Sequence, residues 1–253
     1  MTRIISVVNQ KGGVGKTTTA VNVAAGLALA GKYVLLVDID PQANATSGVG
    51  IEHMKLERGI YESIIGAAPM RHIILPTKIK TKRIAPATLS LAGASVELVP
   101  LESREFKLAE AIKEVTGAYD YIIIDCPPSL GILTINGLVA ANEILIPVQA
   151  EYYALEGLSQ LLSTIELIRD NLKPELNVLG AVLTMFDKRN KLSEEVMSQL
   201  YQFFPNKIFR SVIPRTVKLA EAPSFGQSIF EYQPVSKGAR AYERLVKEIL
   251  DGE

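Results

Sequence analysis

Residues 11–18 read Lys-Gly-Gly-Val-Gly-Lys-Thr-Thr, and these types at this spacing suit one kind of chemistry, the gripping of a phosphate chain. With Lys11 standing where a phosphate loop has its first glycine, Gly12, Gly13, Val14, Gly15, Lys16, Thr17 and Thr18 fit that motif to its end. Glycines let successive backbone N–H groups curl around phosphate oxygens, and the start of the helix that follows adds partial positive charge. Lys16 neutralises the outer oxygens in such a loop, and the Thr17 hydroxyl ligates Mg²⁺. Lys11 is a second cation, on the far side of the glycines, that the motif does not require.

A magnesium-bearing phosphate site also needs carboxylates at the ends of other strands. Two apolar runs supply them: Val-Leu-Leu-Val-Asp-Ile-Asp ends in Asp38 and Asp40, and Tyr-Ile-Ile-Ile-Asp ends in Asp125. Asp125 takes the Walker B position, acting on the metal through water. Asp38 and Asp40 are two residues apart, so in an extended segment both project from one face and can share a site. Asp38 is assigned to the metal shell. Asp40, further out, is assigned to the attacking water, whose orientation matters more than strong base character in a loose phosphoryl-transfer transition state.

Elements of alternating type must hold these residues. Apolar, β-branched runs at residues 4–8, 33–37, 96–99, 121–124, 144–148, 178–183 and 208–213 read as strands buried on both faces of a parallel sheet. Helical periods lie between them. Residues 17–30 open at the phosphate loop; residues 154–171 place Leu155, Leu158, Leu162, Ile165 and Ile168 at spacings of three and four; residues 192–204 do the same with Leu192, Val196, Leu200 and Phe203. The plain reading of both stripes is core packing. Strand, crossover helix and strand in repetition predict an α/β fold, a three-layer, mostly parallel twisted sheet with helices on both faces (a P-loop NTPase fold), as one domain over residues 1–253. Ligands bind such sheets at the carboxyl ends of the strands, where the aspartates lie.

Composition narrows the class. At 48% hydrophobic and 21% charged, without repeats or low-complexity tracts, the chain of 253 residues is that of a globular protein. Lys and Arg number 27 and so do Asp and Glu, so no bulk field draws it to nucleic acid and any such affinity must come from a local patch. The one cysteine, Cys126, cannot form an internal disulfide or alone hold a metal, which fits a reducing compartment. The longest apolar stretch, residues 20–30, falls short of the roughly 20 residues that span a bilayer, and the start has no signal-peptide pattern. A cytoplasmic location is expected.

"KGGVGKTTT", "VDIDPQANATSGVG", "DCPPSLGILTINGL" and "VIPRTVKLAEAPSFGQSI" together resemble the deviant-Walker-A ATPases of the ParA/MinD family, in particular the ParA (Soj) branch that segregates chromosomes and plasmids. The similarity runs over nearly the whole chain. It implies a role for Lys11: crossing the interface of an ATP-sandwich homodimer to touch the partner's phosphates, so that ATP closes the dimer and ADP lets it open. It implies slow ATP hydrolysis stimulated by a ParB-type partner. It also implies non-specific binding of double-stranded DNA by the ATP dimer on the nucleoid, through Arg189, Lys218 and, nearby, Lys188, Arg210 and Arg215. Met185, Pro214 and Arg215 match the positions that border adenine, and the absence of an Asn-Lys-x-Asp element favours ATP over GTP. No helix-turn-helix extension precedes the first strand, so operator-specific repression is not expected. Residues 77–83 are more basic than the family leads one to expect and read as a solvated loop or an extra DNA contact.

Three rivals share parts of this pattern. A MinD-like membrane-cycling ATPase needs an amphipathic C-terminal helix with a basic polar face, whereas residues 241–253 mix both signs and end acidic. An ATPase resembling nitrogenase iron protein needs at least two interfacial cysteines per chain. A cargo-positioning ATPase would run the same switch, and the sequence does not separate it from a partitioning protein.

Overall fold

The computed structural model describes residues 2–151, 156–187 and 189–252; Leu155, Lys188 and the Leu192 side chain lie outside the described residues. In chain order the elements are β1 (Arg3–Val7), α1 (Lys16–Leu29), β2 (Val34–Asp38), α2 (Asn44–Gly48), α3 (Ile60–Ile64), β3 (Leu75–Pro76), β4 (Lys82–Ala85), α4 (Ala94–Glu97), α5 (Lys107–Lys113), β5 (Tyr121–Asp125), α6 (Ile132–Ala140), β6 (Glu143–Gln149), α7 (Glu156–Asn171), β7 (Asn177–Thr184), α8 (Lys191–Phe203), α9 (Val217–Glu221), α10 (Ile229–Tyr232) and α11 (Lys237–Asp251). The strands form one seven-stranded sheet in the order β3-β4-β2-β5-β1-β6-β7. Every pairing is parallel except β3 with β4.

Strand alternation explains the three layers. Ile5 and Val7, Val34 and Leu36, and Tyr121 and Ile123 face one core with α1, α10 and α11. Their neighbours Ile4 and Val8, Leu35 and Val37, and Ile122 and Ile124 face the other with α3, α5, α6, α7 and α8. Side chains two apart share a face, so an uninterrupted apolar strand feeds both cores. α11 turns Tyr242, Leu245 and Ile249 into the first core, each at most 1% exposed. Its apolar stripe is therefore spent on packing. No helix among the described residues is long and apolar enough to cross a membrane.

Two expected strands are absent. Residues 96–99 belong to α4 and the turn after it; Val96 and Val99 are exposed while Ala94 and Leu98 are buried, a spacing of four that belongs to a helix. Residues 208–213 run beside β7 with isolated bridges only. Phe209 and Ile213 donate their N–H groups to Ala181 and Leu183, but the amides of Arg210 and Ser211 between them turn to the Glu248 carboxylate, at 2.8 and 2.9 Å. A carboxylate on α11 thus interrupts the ladder.

The basic segment 77–83 is neither wholly a loop nor wholly solvated. Lys82 lies in β4, 1% exposed, and the Thr77 hydroxyl donates to its carbonyl at 2.9 Å. Burial pushes the Lys82 ammonium down to about 8, with the charge of Glu231 opposing.

Gly50, after α2, and Gly226, before α10, touch backbone to backbone. Both have positive φ (+86° and +62°), and a Cβ on Gly226 would stand 2.4 Å from the Gly50 Cα. Gly226→Ala should therefore cost about 2–4 kcal/mol of unfolding free energy in urea melts, combining the left-handed penalty with a backbone collision. Lys82 gives a pH signature. Its unfolded-state pKa is about 10.4, so between about pH 8 and 10 the unfolded chain holds the extra proton and stability contributed at this position rises with pH. The parent should gain about 1 kcal/mol or more on Lys82→Met between roughly pH 7.5 and 9.5.

Candidate active site

The register sets the site. Asp125 of β5 pairs with Asp38 of β2 on one side and Val7 of β1 on the other, so the carboxyl ends of the three strands are level. The chain leaves β1 there and curls through residues 9–15 into α1. Asn9 pins the entry, its amide donating to Pro147 O at 2.7 Å and its carbonyl accepting from Lys11 N at 3.0 Å. Gly13 and Gly15 turn the loop with φ of +74° and +87°, conformations a side chain resists. The Thr184 hydroxyl, at the end of β7, holds Val14 O at 2.7 Å.

Lys16 begins α1, is 6% exposed, and folds over the loop to donate its ammonium to Lys11 O at 2.9 Å. Burial pulls its pKa below the ordinary lysine value, against the charges of Asp125 and Asp40. Thr17 and Thr18 follow in the first turn and line a cavity of about 420 Å³, together with Asn44 and Ser47 of α2 and Pro223. Gly12 and Val14 complete the loop, with Val14 buried.

The three aspartates differ in what they hold. Asp38 is fully buried; one oxygen accepts from Thr46 N and Thr46 Oγ1 at 2.8 and 2.7 Å, the other from Asp40 N at 3.2 Å. Burial pushes its carboxyl up to about 6, against those donors. Asp40, 6% exposed, accepts from Gln42 N at 3.0 Å within the turn that follows β2. Asp125 is fully buried and neither carboxylate oxygen has a hydrogen-bond partner. Burial, then the charge of Asp38, drives its pKa up; the Thr17 hydroxyl opposes this without completing a hydrogen bond.

Two adjacent buried carboxylates, one with both oxygens unpartnered, form a donor set that suits a cation. Among the described residues no group of three or more His, Cys, Asp or Glu converges as a metal cage. Mg²⁺ takes one or two carboxylates and fills its octahedron with waters and phosphate oxygens, and Asp38 and Asp125 offer such a pair. Cys126, next along the chain, is buried and free, its thiol pKa raised by burial and by Asp125.

The residues matched to adenine recognition lie around the end of β7. Met185 is left-handed at φ +52°, a strained conformation for its type. Pro214 bridges Phe186, and the Arg215 guanidinium donates to Glu151 at 2.8 Å. Among the described residues, the basic side chains matched to DNA do not form one patch. Arg189 and Arg215 line a groove of about 720 Å³. Lys218 pairs with Glu221 at 2.9 Å over the Tyr232 ring, and Arg210 lines a different cavity beside Glu248. Three further cations line the groove: Lys237, Arg240 and Arg244 of α11. Their spacing of three and four was a readable helical face that sequence reasoning passed over.

Comparison with known proteins agrees with this architecture. The family model described as "AAA domain" matches residues 2–178. The sporulation initiation inhibitor protein Soj of Bacillus subtilis (strain 168) is 53% identical over 249 residues, covering 98% of each chain. The chromosome partitioning protein ParA of Myxococcus xanthus (strain DK1622) is 49% identical over 248 residues, covering 98% of this chain and 88% of that one. The solved structure of cobyrinic acid a,c-diamide synthase from Mycobacterium smegmatis with bound ATP analog and magnesium superposes with a TM-score of 0.88 at 36% identity, covering 99% of this chain and 95% of that one. With a phosphate loop, a buried acidic pair and near-complete overlap with these relatives, the chain belongs to the AAA domain family and, within it, to the ParA/Soj group of partitioning ATPases.

Proposed function

We propose that this chain hydrolyses MgATP as a partitioning switch: ATP joins two copies face to face, the dimer coats double-stranded DNA non-specifically, and a ParB-type partner triggers hydrolysis and release. The observation that carries the reading is the buried Asp125 carboxylate, both oxygens unpartnered and level with Asp38, with the Lys16 ammonium near enough for the two charges to act on each other. Thr17, Asp125 and Asp38 would hold Mg²⁺, which when bound neutralises the β- and γ-phosphate oxygens.

The chain's own residues do the rest. Residues 12–18 present backbone N–H groups to the phosphates, and Lys16 exchanges the Lys11 carbonyl for phosphate oxygen. Asp40 orients the attacking water. Lys11 reaches the twin's nucleotide, where a cation supplied in trans stabilises charge that disappears on hydrolysis. Met185, Pro214 and Arg215 border the base. The groove of Arg189, Arg215, Lys237, Arg240 and Arg244 supplies phosphate contacts, and the family resemblance adds Lys188, Arg210 and Lys218 as further contacts. A few contacts per chain bind weakly at cellular salt, and dimerisation makes the second engagement intramolecular. The burial of the α11 apolar stripe favours this reading over a membrane-cycling one. The working location is the cytoplasm, at the nucleoid.

Sizing Asp40→Ala with ATP and with ADP, then adding non-specific duplex across a salt series, tests switch, dimer and DNA binding together. Asp40→Ala should keep ATP, lose about 100-fold or more in turnover, and accumulate as a DNA-bound dimer; hydrolysis at the parent rate removes the assignment. Lys16→Ala should abolish nucleotide binding, read by fluorescent-ATP titration. Lys11→Ala should bind ATP and stay monomeric by light scattering, and a normal ATP dimer in that variant contradicts the trans role.

A further inference from the structure

Glu151 lies just past the end of β6, where Ala150 N donates to Thr184 O at 3.0 Å and Glu151 N to Gln149 O at 2.8 Å. Its carboxylate faces two cations from different parts of the molecule. Oε1 accepts from the Arg215 guanidinium at 2.8 Å, and Oε2 stands 3.9 Å from the Lys11 ammonium. Lys11 comes from the phosphate loop and Arg215 from the cationic groove, so one anion joins the nucleotide face to the groove. The side chains are 32%, 45% and 60% exposed for Lys11, Glu151 and Arg215. Water screens such pairs, so each contact is weak and readily exchanged.

We propose that Glu151 is a positioning residue that stands in for phosphate: in the nucleotide-free chain it holds Lys11 back, and Lys11 must trade its carboxylate for the twin's phosphates as the dimer closes. The inference rests on the reading of Lys11 as a trans-acting cation. The exchange need strand no charge on Glu151, because the carboxylate's other oxygen already has Arg215 at 2.8 Å. Weak pairing is what a reversible restraint needs, since a tight buried pair would hold Lys11 against ATP as well.

The test is the dimer equilibrium with Mg²⁺ and the non-hydrolysable analogue AMPPNP, followed by sedimentation velocity across a protein dilution series. Glu151→Gln removes the competing charge and should tighten the dimer roughly two- to fivefold, the worth of an exposed ion pair. Glu151→Asp keeps the charge and should stay near the parent. The gain from Glu151→Gln should vanish when Lys11→Ala is added. A Glu151→Gln dimer equal to or weaker than the parent's overturns the restraint, as does a gain that persists without Lys11. Lys11→Ala alone separates the two ideas: parent-like dimerisation there rejects the trans role, while a monomeric Lys11→Ala beside an unchanged Glu151→Gln rejects the restraint alone.

Discussion

Two carboxylates buried side by side at the ends of adjacent strands, Asp38 and Asp125, govern the site. Removing a charge from water costs several kcal/mol even after relaxation, unless hydrogen bonds or an opposite charge offset it. Asp38 is offset locally: α2 is placed so that Thr46 meets it with both backbone and hydroxyl donors, and the same hydroxyl then accepts from Ala87 N. Asp125 has no such donors, and the nearby Lys16 is committed to a loop carbonyl. The sheet therefore presents an acceptor that its own fold leaves unsatisfied. Apolar strands on both faces make that possible, because they hold the two backbones rigidly enough that the carboxylates cannot swing out to solvent.

The positions of the site residues were the part most legible in the sequence, and the reason is local. A phosphate loop is made by consecutive residues, and a strand-terminal aspartate announces itself by the apolar run before it, so Lys16, Thr17, Asp38, Asp40 and Asp125 could be placed one by one. The layer order also followed from alternation of strand and helix. What the chain did not disclose depended on partners distant in sequence. β4 hid because its first two residues are Lys82 and Arg83; Lys82 is buried in a strand that α1 packs against, with the charge of Glu231 on α10 offsetting part of its burial. Residues 96–99 looked like a strand because short apolar runs carry no period, and Glu97 within the run was the sign that a helix would claim it. The Glu151 contacts join positions 140 and 64 residues apart in sequence, beyond any local signal.

α11 shows how one element can serve two tasks without compromise. Its inward stripe closes the core against α1, and its outward residues at 237, 240 and 244 line the groove. A change on either side of the helix is read by a different part of the molecule, so the stability of the core and the charge of the groove can vary independently.

The margins of the sheet limit how copies can associate. On one side β3 is two residues long, runs against its neighbour and ends in Pro76, which has no amide hydrogen to offer. On the other, the stretch from Ile208 to Pro214 lies along β7 with its intervening amides tied to Glu248. Neither margin offers a long ladder that another chain could extend. Neither margin is therefore built for edge-to-edge growth into fibres, and the loop end of the sheet, where Asp38, Asp125 and the phosphate loop lie, is left clear of both.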